Sequence, residues 1–381
     1  MKKDWTYKKL GEVAEIVGGS TPKTSEPANW EGSNMWVTPA ELDGSKYFGK
    51  TQRTISDDAA SKLQLLPIGT VLFSSRAPIG KVAITTAPMY CNQGFKNIVC
   101  GDSLYNEYVY WCLKYNVPLL QSLGVGATFK ELSKSAMSDF SIPIPPLSIQ
   151  YSIVRELDLL HSMIEKKKEQ LCELDNLAQS LFYLMFGDPI TNPMGWEIKK
   201  LGEVAETTSG GTPSKSNNEY YENGTIPWLR SGEVSQGFIY KTELFITQKG
   251  LDNSSAKMIP VDSVAIAMYG ATVGEVGIIK SPMCTNQAIC SILPNKYLVP
   301  IYLRYFLMAM KPKYIAVAAG GAQPNISQAI IRNTHLPLPP LSLQQSFAAK
   351  IEAIEAQKAL VRQSIEEAQT LLAAQMQYYF E

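Results

Sequence analysis

The sequence is poor in the groups that enzymes and metalloproteins depend on. Among 381 residues there are two histidines, His161 and His335, far apart in the chain. The six cysteines stand at 91, 100, 112, 172, 284 and 290, with no CxxC pair among them. Neither a zinc site nor a disulfide framework is expected, and reduced thiols are the simple reading. A Ser/His or Cys/His triad has equally little to draw on. No G-x-x-x-x-G-K-[ST] phosphate loop occurs; "SSRAPIGKV" (74–82) lacks the first glycine and the Ser/Thr. No G-x-G-x-x-G follows a strand pattern. Apolar residues make up 45% of the chain, yet no run approaches the roughly 20 needed to span a membrane. The opening "MKKDWTYKKL" has no apolar segment behind it, so a signal peptide is not expected.

Net charge is also missing: 35 basic residues balance 35 acidic ones. The balance is not uniform. Residues 1–145 and 193–340 carry +2 and +3, whereas 146–192 and 341–381 carry −3 and −2. That distribution permits nucleic-acid binding without demanding it.

What the chain does have is a repetition. "KKLGEVAE" runs from Lys8 to Glu15 and again from Lys199 to Glu206. Five further blocks follow in the same order. "GGSTPKTS" (18–25) answers to "SGGTPSKS" (209–216), and "WVTPAEL" (36–42) to "WLRSGEV" (228–234). "APIGKVAI" (77–84) answers to "ATVGEVGI" (271–278), and "CNQGFKNIV" (91–99) to "TNQAICSIL" (285–293). "IPIPPLSIQ" (142–150) answers to "LPLPPLSLQ" (336–344), and the offset drifts only from 191 to 194. A period this long means a duplicated domain and not a solenoid.

Each copy changes texture once. The first part is rich in Gly, Pro, Thr and aromatics. Short apolar runs such as "GTVLFSS" (69–75) and "DSVAIAM" (262–268) read as buried strands between turns. "NEYVYWCLKY" (106–115) and "PIYLRYFLMAM" (300–310) read as helices. Then come a proline stop and a long helix, with Ser148 or Ser342 placed to cap it. Positions 153, 157, 160, 164, 167, 171, 174, 178, 181 and 185 form a heptad seam, as do 347, 351, 354, 358, 361, 365, 368, 372, 375 and 379. About 37 residues at about 1.5 Å each give rods of roughly 55 Å. Lys167 and Lys358 interrupt the seams, as register-fixing residues do. The expected fold is α+β: two similar, mostly β lobes separated by two long helices that form an antiparallel coiled coil. The expected boundaries are 1–146 for the first lobe, 147–186 for its helix, 187–195 for a linker, 196–340 for the second lobe and 341–381 for its helix.

These features together resemble the specificity subunit of Type I restriction–modification systems. The likeness rests on "KKLGEVAE…GGTP", the tryptophan block, "NQ" after a strand and "PIPPLSIQ" before a long helix. It rests also on "LFYLMFGDP" (181–189) followed by "NPMGWEIKKLGEV" (192–204). It covers nearly the whole chain, and the order and duplication of the motifs carry it. The resemblance implies two target-recognition domains that each read half of a split double-stranded DNA sequence. It implies that the helices space the lobes and dock two methylation subunits, which would bind S-adenosylmethionine, and that restriction subunits can join. It implies no catalysis, no cofactor and no metal of the chain's own, and a cytoplasmic location. Consistently, no Asn/Asp-Pro-Pro-aromatic tetrapeptide of an amino-methyltransferase occurs; "DPIT" and "NPMG" fail that pattern. A stand-alone methyltransferase with a diverged site, or an adaptor for proteins only, are the rival readings.

DNA readers need long donors and acceptors on loops. In the first lobe the candidates are Lys23 and Thr24 in "TPKTS", Ser75, Arg76 and Lys81 in "SSRAPIGK", and Thr128 and Lys130 beside Phe129 in "GATFKELS". In the second they are Lys215, Arg230, Tyr269 and Thr272, with Gln323 and Asn325 in "GGAQPNIS" (320–327). Positions common to both lobes should be scaffold, because two lobes with different targets need different readers. Gly11, Pro22, Gly80 and Pro143, matched by Gly202, Pro213, Gly274 and Pro337, belong there. So do Asn92–Gln93 and Asn286–Gln287, expected to hold a turn by side-chain hydrogen bonds.

Overall fold

A computed structural model of the chain describes residues 5–76, 78–126, 130–318 and 325–381. It divides into two compact units. One comprises residues 1–168 and 363–381, the other 169–362. Each unit holds one sheet-rich lobe, the first half of the long helix that follows it, and the last half of the other long helix. The units therefore cut both helices in two and do not end where the helices begin.

The two lobes fold alike, apart from one extra strand in the smaller sheet of the second. In the first, a five-stranded sheet runs in the order Ala14–Gly18, Lys96–Cys100, Val71–Phe73, Val82–Thr85 and Tyr47–Phe48. A three-stranded sheet joins Arg53–Ile55, Asn34–Val37 and Tyr90–Cys91. The second lobe repeats the first order with Thr207–Ser209, Ile289–Ile292, Val264–Ala267, Val276–Ile279 and Phe238–Ile239. Its other sheet joins Leu244–Ile246, Ile226–Leu229, Met283–Thr285 and Met258–Ile259. The central strands Val71–Phe73 and Val264–Ala267 are buried on both faces, which explains their unbroken apolar runs.

The doubled octapeptide has one job in both places. It ends one strand, makes one helical turn and leads into a second strand. The strands Thr6–Lys9 and Glu197–Lys200 pair antiparallel with Ser141–Ile144 and His335–Leu338, just before each long helix. Leu10 and Leu201 are fully buried, and their N–H groups donate to the carbonyls of Phe140 and Thr334 at 2.9 Å.

The long helices span Leu147–Phe186 and Leu341–Phe380. They begin one residue before Ser148 and Ser342, so these serines lie inside the first turn and do not cap. Proline at 146 and 340 has its φ already set for a helix, which starts immediately after it. The anchor is instead a glutamine. Gln150 is fully buried; its side chain accepts from the Tyr105 N–H at 2.8 Å and donates to the carbonyls of Ser103 and Pro145. Gln344 repeats this with the Val299 N–H and the carbonyls of Tyr297 and Pro339.

The apolar seams are buried as the spacing predicts. Ile153, Leu157, Leu160 and Ile164 lie inside the first unit, and Phe347, Ile351 and Ile354 inside the second. Within each unit the two helix segments run antiparallel. In the first, Glu156 accepts from Tyr379. In the second, Asp175 meets Lys358 at 2.6 Å while Phe186 lies 5.2 Å from Phe347. Lys358 is buried between Asp175 and Glu355. Burial alone would push its ammonium down, but the two carboxylates outweigh it and hold its pKa above the ordinary lysine value.

The same aromatic device closes both units. Tyr108 donates to the Pro143 carbonyl, and Phe380 packs on it at 5.4 Å. Tyr302 donates to the Pro337 carbonyl, and Phe186 packs on it at 4.8 Å. The junctions between lobe and helix differ. In the first unit the half-buried Lys46 lies between Glu107 and Asp158, at 2.7 and 2.6 Å. In the second, Gly237 stands at that point, and a cleft of about 720 Å³ opens beside Phe238, Lys280 and Arg304.

Candidate nucleic-acid interface

Three loops of each lobe are tied together by bonds that the two lobes share. In the first lobe, Trp36 donates its indole N–H to the Ser20 carbonyl at 3.1 Å, and Thr21 donates to the Gln93 side chain. Asn92 folds its side chain back to accept from the Gly94 N–H at 2.9 Å. The Gly94 carbonyl accepts from Ser75, whose own carbonyl accepts from Leu132. In the second lobe Trp228 donates to Gly211, Thr212 to Gln287, and the Ala288 N–H to Asn286. There the Ala288 carbonyl accepts from Met268, and the Met268 carbonyl from Ile326. The loops at 19–25, 74–76 and 130–132 thus form one surface, and their counterparts at 210–216, 268–272 and 325–326 form another.

Close approach explains why glycine is retained here. A Cβ on Gly19 would lie 2.1 Å from the Asn92 carbonyl oxygen, and one on Gly210 1.8 Å from that of Thr285. Gly80 and Gly274 adopt φ of +104° and +79°, a region closed to most side chains. The shared Asn-Gln pairs hold the central turn, as their repetition implied.

Against this frame the candidate readers separate. Lys23 and Thr24 are exposed at the tip of the first loop. Lys23 bonds Glu26 at 3.2 Å and thereby holds that carboxyl below the usual range. Its carbonyl accepts from Asn29 and Trp30, and Arg53 stacks 4.1 Å over the Trp30 ring, so this tip is braced from beneath. Arg76 is half-exposed, with a guanidinium nitrogen 3.7 Å from Glu131. Lys130 is exposed beside it. In the second lobe Lys215 is exposed on the matching tip. Tyr269 pairs by its backbone with Asn325, and the Thr272 hydroxyl donates to the Tyr269 carbonyl at 3.1 Å. Arg76, Lys130 and the 23–24 tip are therefore brought together, as are Tyr269, Thr272, Asn325 and the Lys215 tip.

Two candidates are corrected. Ser75 is fully buried, and its hydroxyl accepts from Lys96 at 3.2 Å. It lies just past a core strand that is buried on both faces, and that burial extends through Ser74 and Ser75. Lys81 donates to the carbonyls of Pro39 and Leu42 at 2.9 and 2.8 Å. Its ammonium is spent on closing the 39–42 turn and does not face outward. Arg230 is intermediate: Glu243 pairs with its guanidinium and Glu233 accepts from its backbone N–H, while its side chain remains 41% exposed. Thr128, with Phe129, and Gln323 lie outside the described residues. Sequence reasoning missed Lys96 and Glu131. Glu131 sits next to Lys130 in the stretch already singled out, but only the fold brings it back to Arg76.

Among the described residues no helix is long and apolar enough to cross a membrane, and no cluster of His, Cys, Asp or Glu is placed to hold a metal. The family model described as the Type I restriction modification DNA specificity domain matches this chain twice, at residues 2–174 and 193–370. The chain belongs to that family.

Each match covers one lobe with most of its following helix, so the repeat seen in the sequence is the family's own unit. Among curated relatives, the Type I restriction enzyme MjaIX specificity subunit of Methanocaldococcus jannaschii is 30% identical over 380 residues, covering 92% of this chain and 87% of the relative. The EcoR124I/EcoR124II specificity subunit of Escherichia coli is 27% identical over 288 residues, covering 72% and 69%. Among solved structures, a Type I restriction–modification S subunit from M. genitalium superposes with a TM-score of 0.59 over 99% of this chain and 96% of that one, at 14% identity. A chain from a study of complex assembly in the Type I system gives 0.66 over 98% and 96%, at 20% identity. The chain is a specificity subunit with two target-recognition domains and two long helices.

Proposed function

We propose that each lobe reads one half of an interrupted double-stranded DNA target through its stitched loops. The observation that carries this is the pattern of sameness and difference: the bonds that hold the loops are duplicated, and the outward residues are not. A chain that bound DNA only by charge would need no such divergence. Arg76 and Lys130 in one lobe, and Tyr269 and Asn325 in the other, are the natural readers. Lys23 and Lys215 sit at equivalent exposed tips and suit phosphate.

The long helices recruit two methylation subunits, and restriction subunits can join the same assembly. Exposed Leu159, Met163 and Leu371 in the first unit, and Leu177, Leu184 and Leu360 in the second, support this reading. A helix pair that has already buried one seam has no internal use for a second apolar face. The chain itself is non-catalytic and works in the cytoplasm. S-adenosylmethionine belongs to the methylation subunits.

The test is methylation-sensitive sequencing of DNA from cells that carry this chain with its methylation subunit. The expected product is a methylated sequence in two specific parts with unspecified bases between. A continuous recognition sequence would overturn the one-lobe, one-half-site reading. Binding of S-adenosylmethionine by the purified chain alone would favour a methyltransferase.

A further inference from the structure

Each lobe presents two divergent side chains at one point of the shared frame. Arg76 forms a backbone bridge with Glu131, and Tyr269 forms one with Asn325. The two bridges are equivalent. Leu132 donates to the Ser75 carbonyl and Ile326 to the Met268 carbonyl, both at 2.9 Å, so each bridge lies one step outward from the same stitch. All four residues reach the surface: Arg76 and Glu131 have 36% and 42% of their side chains exposed, Tyr269 is 44% exposed, and Asn325 is open.

The chemistry of the two pairs differs in a way that base pairs also differ. Arg76 offers a fork of donors, and the Glu131 carboxylate beside it offers acceptors only. On its major-groove edge a G·C pair offers two acceptors on guanine, O6 and N7, beside one donor on cytosine, N4. Donors beside an acceptor complement that edge. Lys96, 3.3 Å from Glu131, supports the carboxylate from within; four residues after Asn286 the second lobe has Cys290 in its place. Asn325 carries one donor group and one acceptor on the same amide, which matches N7 and N6 of adenine. The Tyr269 ring beside it gives an apolar surface for the thymine methyl.

We propose that Arg76 with Glu131 reads a G·C pair in one half-site, and that Tyr269 with Asn325 reads an A·T pair at the equivalent position of the other. The bland alternative is a surface ion pair in one lobe and a turn in the other. At 3.7 Å and this exposure the Arg76–Glu131 pair contributes little to stability. The proposal rests on the reading of one half-site per lobe.

The experiment uses the full chain assembled with its methylation subunit and a randomised duplex DNA library, selected by gel shift and sequenced. Wild type should select one G·C pair in one half-site and an A·T pair at the matching position of the other. The double variant Arg76→Tyr with Glu131→Asn should convert that G·C preference to A·T, by on the order of ten- to a hundredfold, and leave all other positions alone. The reciprocal Tyr269→Arg with Asn325→Glu should do the opposite in the other half-site. Should the first double variant lose its cooperative melting, Glu131→Gln is the substitute, and it should relax selection at the same position only. Unchanged selection in the folded variants overturns the proposal. So does a uniform loss of affinity with a shallower salt dependence, which marks phosphate contact. If wild type selects no sequence at all, the half-site reading itself has failed. If wild type selects and the variants select identically, only this assignment has.

Discussion

At the scale of residues, two cations five positions apart have opposite fates. Lys81→Ala removes two hydrogen bonds to the carbonyls of Pro39 and Leu42. It should cost about 1–3 kcal/mol of stability, seen as a lower denaturation midpoint, with DNA selectivity unchanged in the folded protein. Arg76→Ala should leave the midpoint within about 0.5 kcal/mol and weaken DNA binding by about 1–3 kcal/mol. A lowered melting temperature with unaltered affinity would place Arg76 in the scaffold beside Lys81. His161 supplies a pH effect. Its ring lies 5.7 Å from Trp111, and burial, followed by the charge of Lys114, holds its pKa below the ordinary 6.5. A group depressed in the folded state contributes stability above its unfolded pKa and loses it as pH falls through 6.5 toward the folded value. The first unit should therefore melt at lower temperature as pH drops from about 7 to about 5. His161→Gln should flatten that slope, and an unchanged slope in the variant would assign it to other groups.

At the scale of elements, the attachment of each long helix depends on one buried amide. Gln150→Ala leaves the Tyr105 N–H and the carbonyls of Ser103 and Pro145 without the partner that joins them. The loss should be about 3 kcal/mol, and Gln344→Ala should cost about the same. Urea titration of each variant decides it. A change under about 1 kcal/mol would mean that the proline stop and the seam suffice to hold the helix. The sequence placed the glutamine inside a repeated block but gave no sign of its role, because its three partners come from a loop some 45 residues earlier and from the chain just before the helix.

At the scale of the whole molecule, the duplication should survive division. Consider a chain stopped after Asp188. It keeps the first lobe and its helix but loses Leu372, Met376, Tyr379 and Phe380, which pack against the first core. The end of its own helix carries the equivalent residue: Phe186 packs on Tyr302 in the second unit as Phe380 packs on Tyr108 in the first. Phe186 of a second copy can take the vacated place, and two-fold exchange buries both seams. Lys167, near the middle of the helix, would meet its own copy and weaken the pairing. The fragment should be a dimer by light scattering, and with its methylation subunit it should modify an inverted repeat of the first half-site. A stable monomer, or methylation still at the full-length target, would refute this.

By itself the sequence determined the repeat, the two kinds of texture in each copy and the seams of both helices. These are signals of period and order, and they survive in one dimension. It also marked scaffold positions such as Gly80 and Asn92, because two copies in one chain serve as their own comparison. Only the tertiary structure decided which polar loop residues face outward. Ser75 and Arg76 are neighbours in sequence, yet one side chain is fully buried against Lys96 and the other is half-open. Lys81 looks like a reader until the carbonyls of Pro39 and Leu42 close on it. Glu131 goes unremarked beside Lys130 until the fold returns it to Arg76. A side chain's partner is set by contacts tens of residues away, and hydrogen-bonding capacity alone does not say whether protein or solvent will satisfy it.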